Sequence, residues 1–91
     1  MRRVHVIVRG TVQGVGYRYT LRMVAAEAGA SGWTRNLRDG TVECEVEGTT
    51  MQVDEVLAWM AEGPPGSHVE GASVTEMDPL GTSGFEVRRD R

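Results

Sequence analysis

Val42-Glu43-Cys44-Glu45-Val46-Glu47 alternates apolar and acidic side chains without a break. Successive side chains of a strand point to opposite faces. The stretch therefore predicts a strand with Val42, Cys44 and Val46 inward and Glu43, Glu45 and Glu47 toward water. A sheet with one buried face and one wet, acidic face is the simplest account. Just upstream, Arg38-Asp39-Gly40 is a turn signal, and Gly32 to Asn36 reads as the short strand that precedes it.

Further upstream, Leu21, Val24, Ala25 and Ala28 recur at helical spacing, which predicts a helix from Tyr17 to Ala28 stopped by Gly29. Val4, Val6 and Val8 alternate with His5, Ile7 and Arg9 as a first strand. Between these lies a glycine-punctuated loop, Gly10 to Gly16. Downstream, Thr49 with Gln52 resembles a capping box. Val53, Val56, Leu57 and Met60 then form the apolar stripe of a second helix, closed by Gly63 and Pro64-Pro65-Gly66. Val69, Ala72 and Val74 fall in a fourth strand, and Phe85 and Val87 mark a short last one. The order is β-α-β-β-α-β with a C-terminal strand. It predicts an α+β, ferredoxin-like sandwich with two helices on one face of an antiparallel sheet. Ninety-one residues suffice for one core and not two, so residues 1–91 are expected to form a single domain.

Composition narrows the function classes. A net charge of −3 argues against a nucleic-acid binder, which usually carries a basic excess. No apolar run approaches the roughly 20 residues that cross a bilayer, so no membrane role is expected. Met1-Arg2-Arg3 is basic, but the short, polar-interrupted Val4–Val8 stretch reads as a strand rather than a signal peptide. The lone cysteine, Cys44, can form neither an internal disulfide nor a cysteine metal cluster, which fits a reducing cytoplasm. All 10 basic residues are arginine. The absence of lysine excludes Schiff-base chemistry and a Walker-type phosphate loop.

The segment that carries chemistry is Gly10-Thr11-Val12-Gln13-Gly14-Val15-Gly16-Tyr17-Arg18. Glycines between a strand and a helix let the backbone approach a ligand and turn successive N–H groups inward as an anion nest. The helix adds its unpaired N–H groups and positive dipole end. Arg18 stands in the first helical turn, where a cation opposes the dipole; a bound anion offsets that cost, and a guanidinium fork matches two phosphate oxygens. A dinucleotide fingerprint fails because Tyr19 stands where a glycine is needed. From residue types alone, a tight strand-to-helix turn with an exposed arginine is an equal reading.

The loop resembles the acylphosphatase signature at Gly10, Val12, Gln13, Gly14, Val15, Tyr17 and Arg18. A second signature of that family resembles Gly32-Trp33-Thr34-Arg35-Asn36 with the turn and strand that follow. The two stand at the family's separation, and the resemblance covers essentially the whole chain. Tyr17 replaces a more usual phenylalanine, and Arg38 a frequent proline. The resemblance implies hydrolysis of acyl phosphates to a carboxylate and inorganic phosphate. In that scheme the backbone of Gln13, Gly14, Val15, Gly16, Tyr17 and Arg18 cradles the phosphoryl group. Arg18 completes the cradle and Asn36 orients the attacking water. It implies no metal and no cofactor, inorganic phosphate as an inhibitor as well as a product, and a monomer.

Other residues have plainer expectations. His5 is placed on the wet sheet face and His68 in the loop after Pro65, neither of them catalytic. Trp33 and Trp59 are packing residues, with Trp33 also placed to wall the site. Met23, Met51, Met60 and Met77 read as core or rim filler, and Cys44 as a buried, inert thiol. Glu43, Glu45 and Glu47 would discourage aggregation at an open face. Two other classes remain open. One is an RNA-binding module of the same fold, which would want a basic face with aromatic residues for base stacking. The other is a domain detached from a larger carbamoyl-transferring maturation factor with a similar loop.

Overall fold

The computed structural model describes residues 1–91. The alternating stretch forms β3 (Val42–Gly48), with Val42, Cys44 and Val46 fully buried. Around it are β1 (Arg2–Thr11), α1 (Tyr17–Ala28), β2 (Ser31–Asn36), α2 (Thr50–Glu62), β4 (His68–Met77) and β5 (Phe85–Val87). The predicted ferredoxin-like α+β sandwich is the fold observed. Val4, Val6 and Val8 of β1 meet the inward residues of β3, Leu21 and Ala25 of α1, and Val53, Val56 and Met60 of α2 in one core cluster. The capping box is present: Thr49 Oγ1 accepts from Gln52 N, and Gln52 Oε1 accepts from Thr49 N.

The strand order is β4-β1-β3-β2-β5. β1 pairs antiparallel with β3 and β4, and β3 antiparallel with β2, but β5 runs parallel to β2. The sheet is therefore mixed, where an antiparallel one was expected. The physical reason is the placement of β4 and β5 on opposite edges, so that the chain between them crosses the helix-free face of the sheet. Glu47 holds that crossing: its carboxylate accepts from Leu80 N at 2.7 Å and Gly81 N at 2.9 Å.

This crossing corrects the picture of an open acidic face. Arg3, on the same side of β1, bonds Glu45 at 2.8 Å, Glu47 at 3.1 Å and Thr82 Oγ1 at 3.1 Å. Arg3 and Glu47 are each only 1% exposed. Glu43 is shared by His5 Nε2 at 2.8 Å and Arg35 Nε at 2.7 Å. The glutamates serve as partners for arginines on neighbouring strands. Cross-strand pairing cannot be read from the period of one strand, which explains the difference.

Smaller corrections follow. Gly10 and Thr11 lie inside β1, so the true loop starts at Val12. Gly10 sits at a register shift against β4, and a Cβ there would collide with the His68 carbonyl oxygen. Its glycine serves close strand approach, not the loop. His68 begins β4 instead of lying in a loop. Of the methionines read as core or rim filler, only Met60 is buried; Met23, Met51 and Met77 are exposed. No helix is long and apolar enough to cross a membrane.

Candidate active site

Val12, just after β1, is buried in the core, and the chain then turns through Gly14 at φ 75° and Gly16 at φ 77°. Both glycines adopt the left-handed conformation that side-chain-bearing residues resist. Gly16 is the N-cap of α1 and supplies no capping side chain. Helix starts usually satisfy their first N–H groups with a Ser, Thr, Asp or Asn oxygen. Here none of the backbone N–H groups from Gly14 to Tyr19 donates to a protein acceptor; the first to do so is Thr20, to the Gly16 carbonyl at 3.1 Å. A run of free donors at the positive end of a helix suits an anion.

The position of this helix end is fixed from the core side. Tyr17 is fully buried, its ring 5.2 Å from that of Trp59, and its hydroxyl donates to the Met60 carbonyl at 2.7 Å. Burial pushes the Tyr17 phenol above its ordinary pKa, so it remains a donor through the neutral range. Arg18 follows directly, half-buried, and Tyr19 leaves its ring exposed. The Arg18 guanidinium lies 5.8 Å from the Tyr19 ring centroid, and its Nη1 is 2.8 Å from Asp90 Oδ1.

Asn36 is the last residue of β2 and stands opposite Val42 of β3, a core-facing residue. It is 7% exposed, and its Oδ1 is the one buried side-chain polar atom in the protein without a hydrogen-bond partner. Such atoms are rare because an unmet buried acceptor costs free energy. The loop and the β2–β3 turn are tied together by Gln13. Its Nε2 donates to Leu37 O at 2.7 Å and to Thr41 O at 2.9 Å. On the turn, Asp39 accepts from the Thr41 hydroxyl at 2.6 Å and the Thr41 N–H at 3.0 Å, and these bonds hold its carboxyl below the usual range.

The structure thus ties the Gln13–Arg18 loop through the Gln13 side chain to the turn that follows Asn36 at the end of β2. It does not place Trp33 there. Trp33 and Asn36 are an odd number of residues apart on one strand, so they project from opposite faces. The Trp33 ring is flanked by the guanidinium groups of Arg35 at 5.0 Å and Arg88 at 4.5 Å. It lines a cavity of about 550 Å³ on the helix-free face with Arg3, Glu45 and Thr82. Burial raises the Cys44 thiol well above its ordinary pKa, in keeping with an inert residue. Two features escaped the sequence: the side chain of Gln13 as a tie and Asp90 as the partner of Arg18. Neither has a periodic or spacing signal, since each depends on contacts between distant segments.

The acylphosphatase family model matches residues 4–87. An acylphosphatase of Methylococcus capsulatus is 50% identical over 91 residues, covering 99% of each chain. The crystal structure of an acylphosphatase from Bacillus subtilis superposes with a TM-score of 0.93 at 36% identity, covering 97% of this chain and 99% of that one. A full-length HypF structure gives a TM-score of 0.88 at 23% identity, covering 98% of this chain but 12% of that one, a likeness of fold alone. The chain belongs to the acylphosphatase family and hydrolyses acyl phosphates to a carboxylate and inorganic phosphate.

Proposed function

We propose that the backbone N–H groups of Gln13, Gly14, Val15, Gly16, Tyr17 and Arg18 hold the phosphoryl oxygens, that the Arg18 guanidinium completes this cradle, and that Asn36 orients the attacking water. The observation that carries the reading is the run of unengaged N–H donors at a glycine-capped helix start with Arg18 in its first turn. The unpartnered Asn36 Oδ1 supports the second part, since an amide oxygen in that state readily accepts from a water O–H.

The chemistry asks little more of the protein. Water oxygen bonds to phosphorus as the bond from phosphorus to the acyl oxygen breaks, and the electron pair leaves on a carboxylate. A carboxylate is a good leaving group, so no general acid is required. Phosphoryl transfer through a loose transition state depends mainly on positioning and charge stabilisation. The proton of the attacking water passes to a phosphoryl oxygen. Arg18 and the N–H groups supply the positive field without a metal ion. Inorganic phosphate, which presents the same oxygens, is expected to compete with substrate.

We read residues 1–91 as a single acylphosphatase domain, supported by one core cluster to which both halves of the chain contribute, and expect it to act as a monomer. A free buried thiol suits a cytoplasmic setting. The direct experiment is release of phosphate from benzoyl phosphate in excess EDTA, with inorganic phosphate as a competitor. Turnover with competitive inhibition is expected. Turnover abolished by EDTA and restored by a divalent cation would contradict a cradle made only of Arg18 and N–H groups.

A further inference from the structure

Arg18 is held from behind by a segment that also reaches Asn36. Residues 88–91 continue from β5 alongside β2. Arg88 N donates to Thr34 O at 2.8 Å, Arg91 N to Asn36 O at 2.8 Å, and Arg38 N to Arg91 O at 2.8 Å. Asp90 stands between these backbone anchors, and its Oδ1 takes Arg18 Nη1 at 2.8 Å. One short strap thus grips Arg18 by a side chain and Asn36 by the main chain, although the two belong to different elements.

We propose that Asp90 is a positioning residue for acyl phosphate hydrolysis, acting through Arg18. The proposal rests on the reading of Arg18 as the phosphate ligand. A free arginine side chain samples many rotamers, and freezing them opposes binding. Asp90 restrains the guanidinium before the substrate arrives. The contact is one-pointed, and the remaining Arg18 donors have no protein partner, so an edge of the fork stays available to two phosphoryl oxygens. The opposite role, a carboxylate competing with phosphate, fits the geometry less well. Asp90 is 66% exposed and Arg18 only 22%, so water screens the negative charge while the guanidinium remains held. The backbone bonds on either side of Asp90 also keep it in place.

The test measures kcat and KM for benzoyl phosphate and the inhibition constant of inorganic phosphate in Asp90→Ala, Asp90→Asn, Arg18→Ala and the double variant Arg18→Ala/Asp90→Ala, with thermal melting as a folding control. Asp90→Ala is expected to raise KM and the phosphate constant about two- to fivefold, the size appropriate to one partly exposed ion pair. Asp90→Asn keeps an oxygen that accepts from Nη1 and is expected to recover most of the loss. In the Arg18→Ala background, removing Asp90 is expected to change the phosphate constant no further, because its effect passes through Arg18. Tighter phosphate binding in Asp90→Ala would show a competitor and overturn the proposal. An equal loss in both backgrounds would show a merely structural strap and overturn it as well. Arg18→Ala binding phosphate like the parent protein would instead overturn the reading of Arg18 itself.

Discussion

The side-chain amide of Gln13 donates to the Leu37 carbonyl at 2.7 Å, and its second hydrogen goes to the Thr41 carbonyl at 2.9 Å. Leu37 directly follows Asn36, so one side chain ties the Gln13–Arg18 loop to the end of β2. Gln13→Ala removes two hydrogen bonds, but Leu37 O keeps the Gly40 N–H and Thr41 O the Leu37 N–H, so the cost in stability is about 0.5–1.5 kcal/mol per bond. More informatively, kcat is expected to fall by more than phosphate inhibition weakens, because each half of the site persists while their alignment is lost. Steady-state kinetics with a melting curve on the same preparation checks this; an unchanged kcat in a destabilised protein would make Gln13 a structural tie only.

Arg18→Lys is expected to be nearly as damaging as Arg18→Ala. Lysine keeps the charge but loses the planar fork, the two-point grip and the contact geometry with Asp90. Removing a transition-state donor typically costs about 2.7–4 kcal/mol, or 10²–10³ in rate. Near-normal turnover of the lysine variant would reduce Arg18 to a generic cation.

Gly14 separates shape from binding. A Cβ at Gly14 meets no atom within 4 Å, so a side chain has room; the cost is the backbone conformation at φ 75°. That strain amounts to roughly 1–2 kcal/mol. Gly14→Val should therefore fold, with a lowered melting temperature, yet lose phosphate affinity because the loop relaxes away from the turn that presents its N–H groups. Normal phosphate binding by the folded variant would leave Gly14 a turn residue.

How much of this was legible in the sequence depends on how local each feature is. The strand at Val42–Glu47, the helix from Tyr17 to Ala28 and the capping box at Thr49 rest on neighbouring residues, and all are present. The glycine loop stood out by its residue types, whereas Asn36 was marked only by the second signature that the sequence resembles. The parallel β5, the ion-paired helix-free face and the strap carrying Asp90 depend on a connection that crosses the whole sheet. Glu47 is the case in point: its alternation with Val46 marks it for water, but Arg3 and the crossing chain bury it.

Glu47 gives the fold an acid limit. Hydrogen bonds from the Leu80 and Gly81 N–H groups, with Arg3, outweigh its desolvation and hold its carboxyl below the usual range. Burial raises Glu43 but the bonds from His5 and Arg35 outweigh it, so it too is lowered. An unfolded glutamate takes up its proton near pH 4.3. Below that value the unfolded chain binds more protons than the native one, so stability falls with pH until the native carboxyls titrate. The contribution is complete at neutral pH. Urea midpoints from pH 7 to pH 3 should decline steeply for the parent protein. Glu47→Gln should start lower, because its amide presents a donor to donors, and decline less steeply. Identical slopes would place the acid sensitivity elsewhere.

The division of labour between Arg18 and Asn36 is tested most directly by kcat and the phosphate inhibition constant of Asn36→Ala measured beside Arg18→Ala, with circular dichroism to confirm folding. Asn36 carries no charge to attract phosphate in the ground state, and its buried Oδ1 is free to accept from water. Its contribution is expected in the transition state alone. The expected result is a kcat lowered by about 10²-fold, the scale of a lost positioning or transition-state contact, with phosphate inhibition little changed, whereas Arg18→Ala loses both. An Asn36→Ala protein that keeps the parent kcat would contradict the assignment of the attacking water to Asn36.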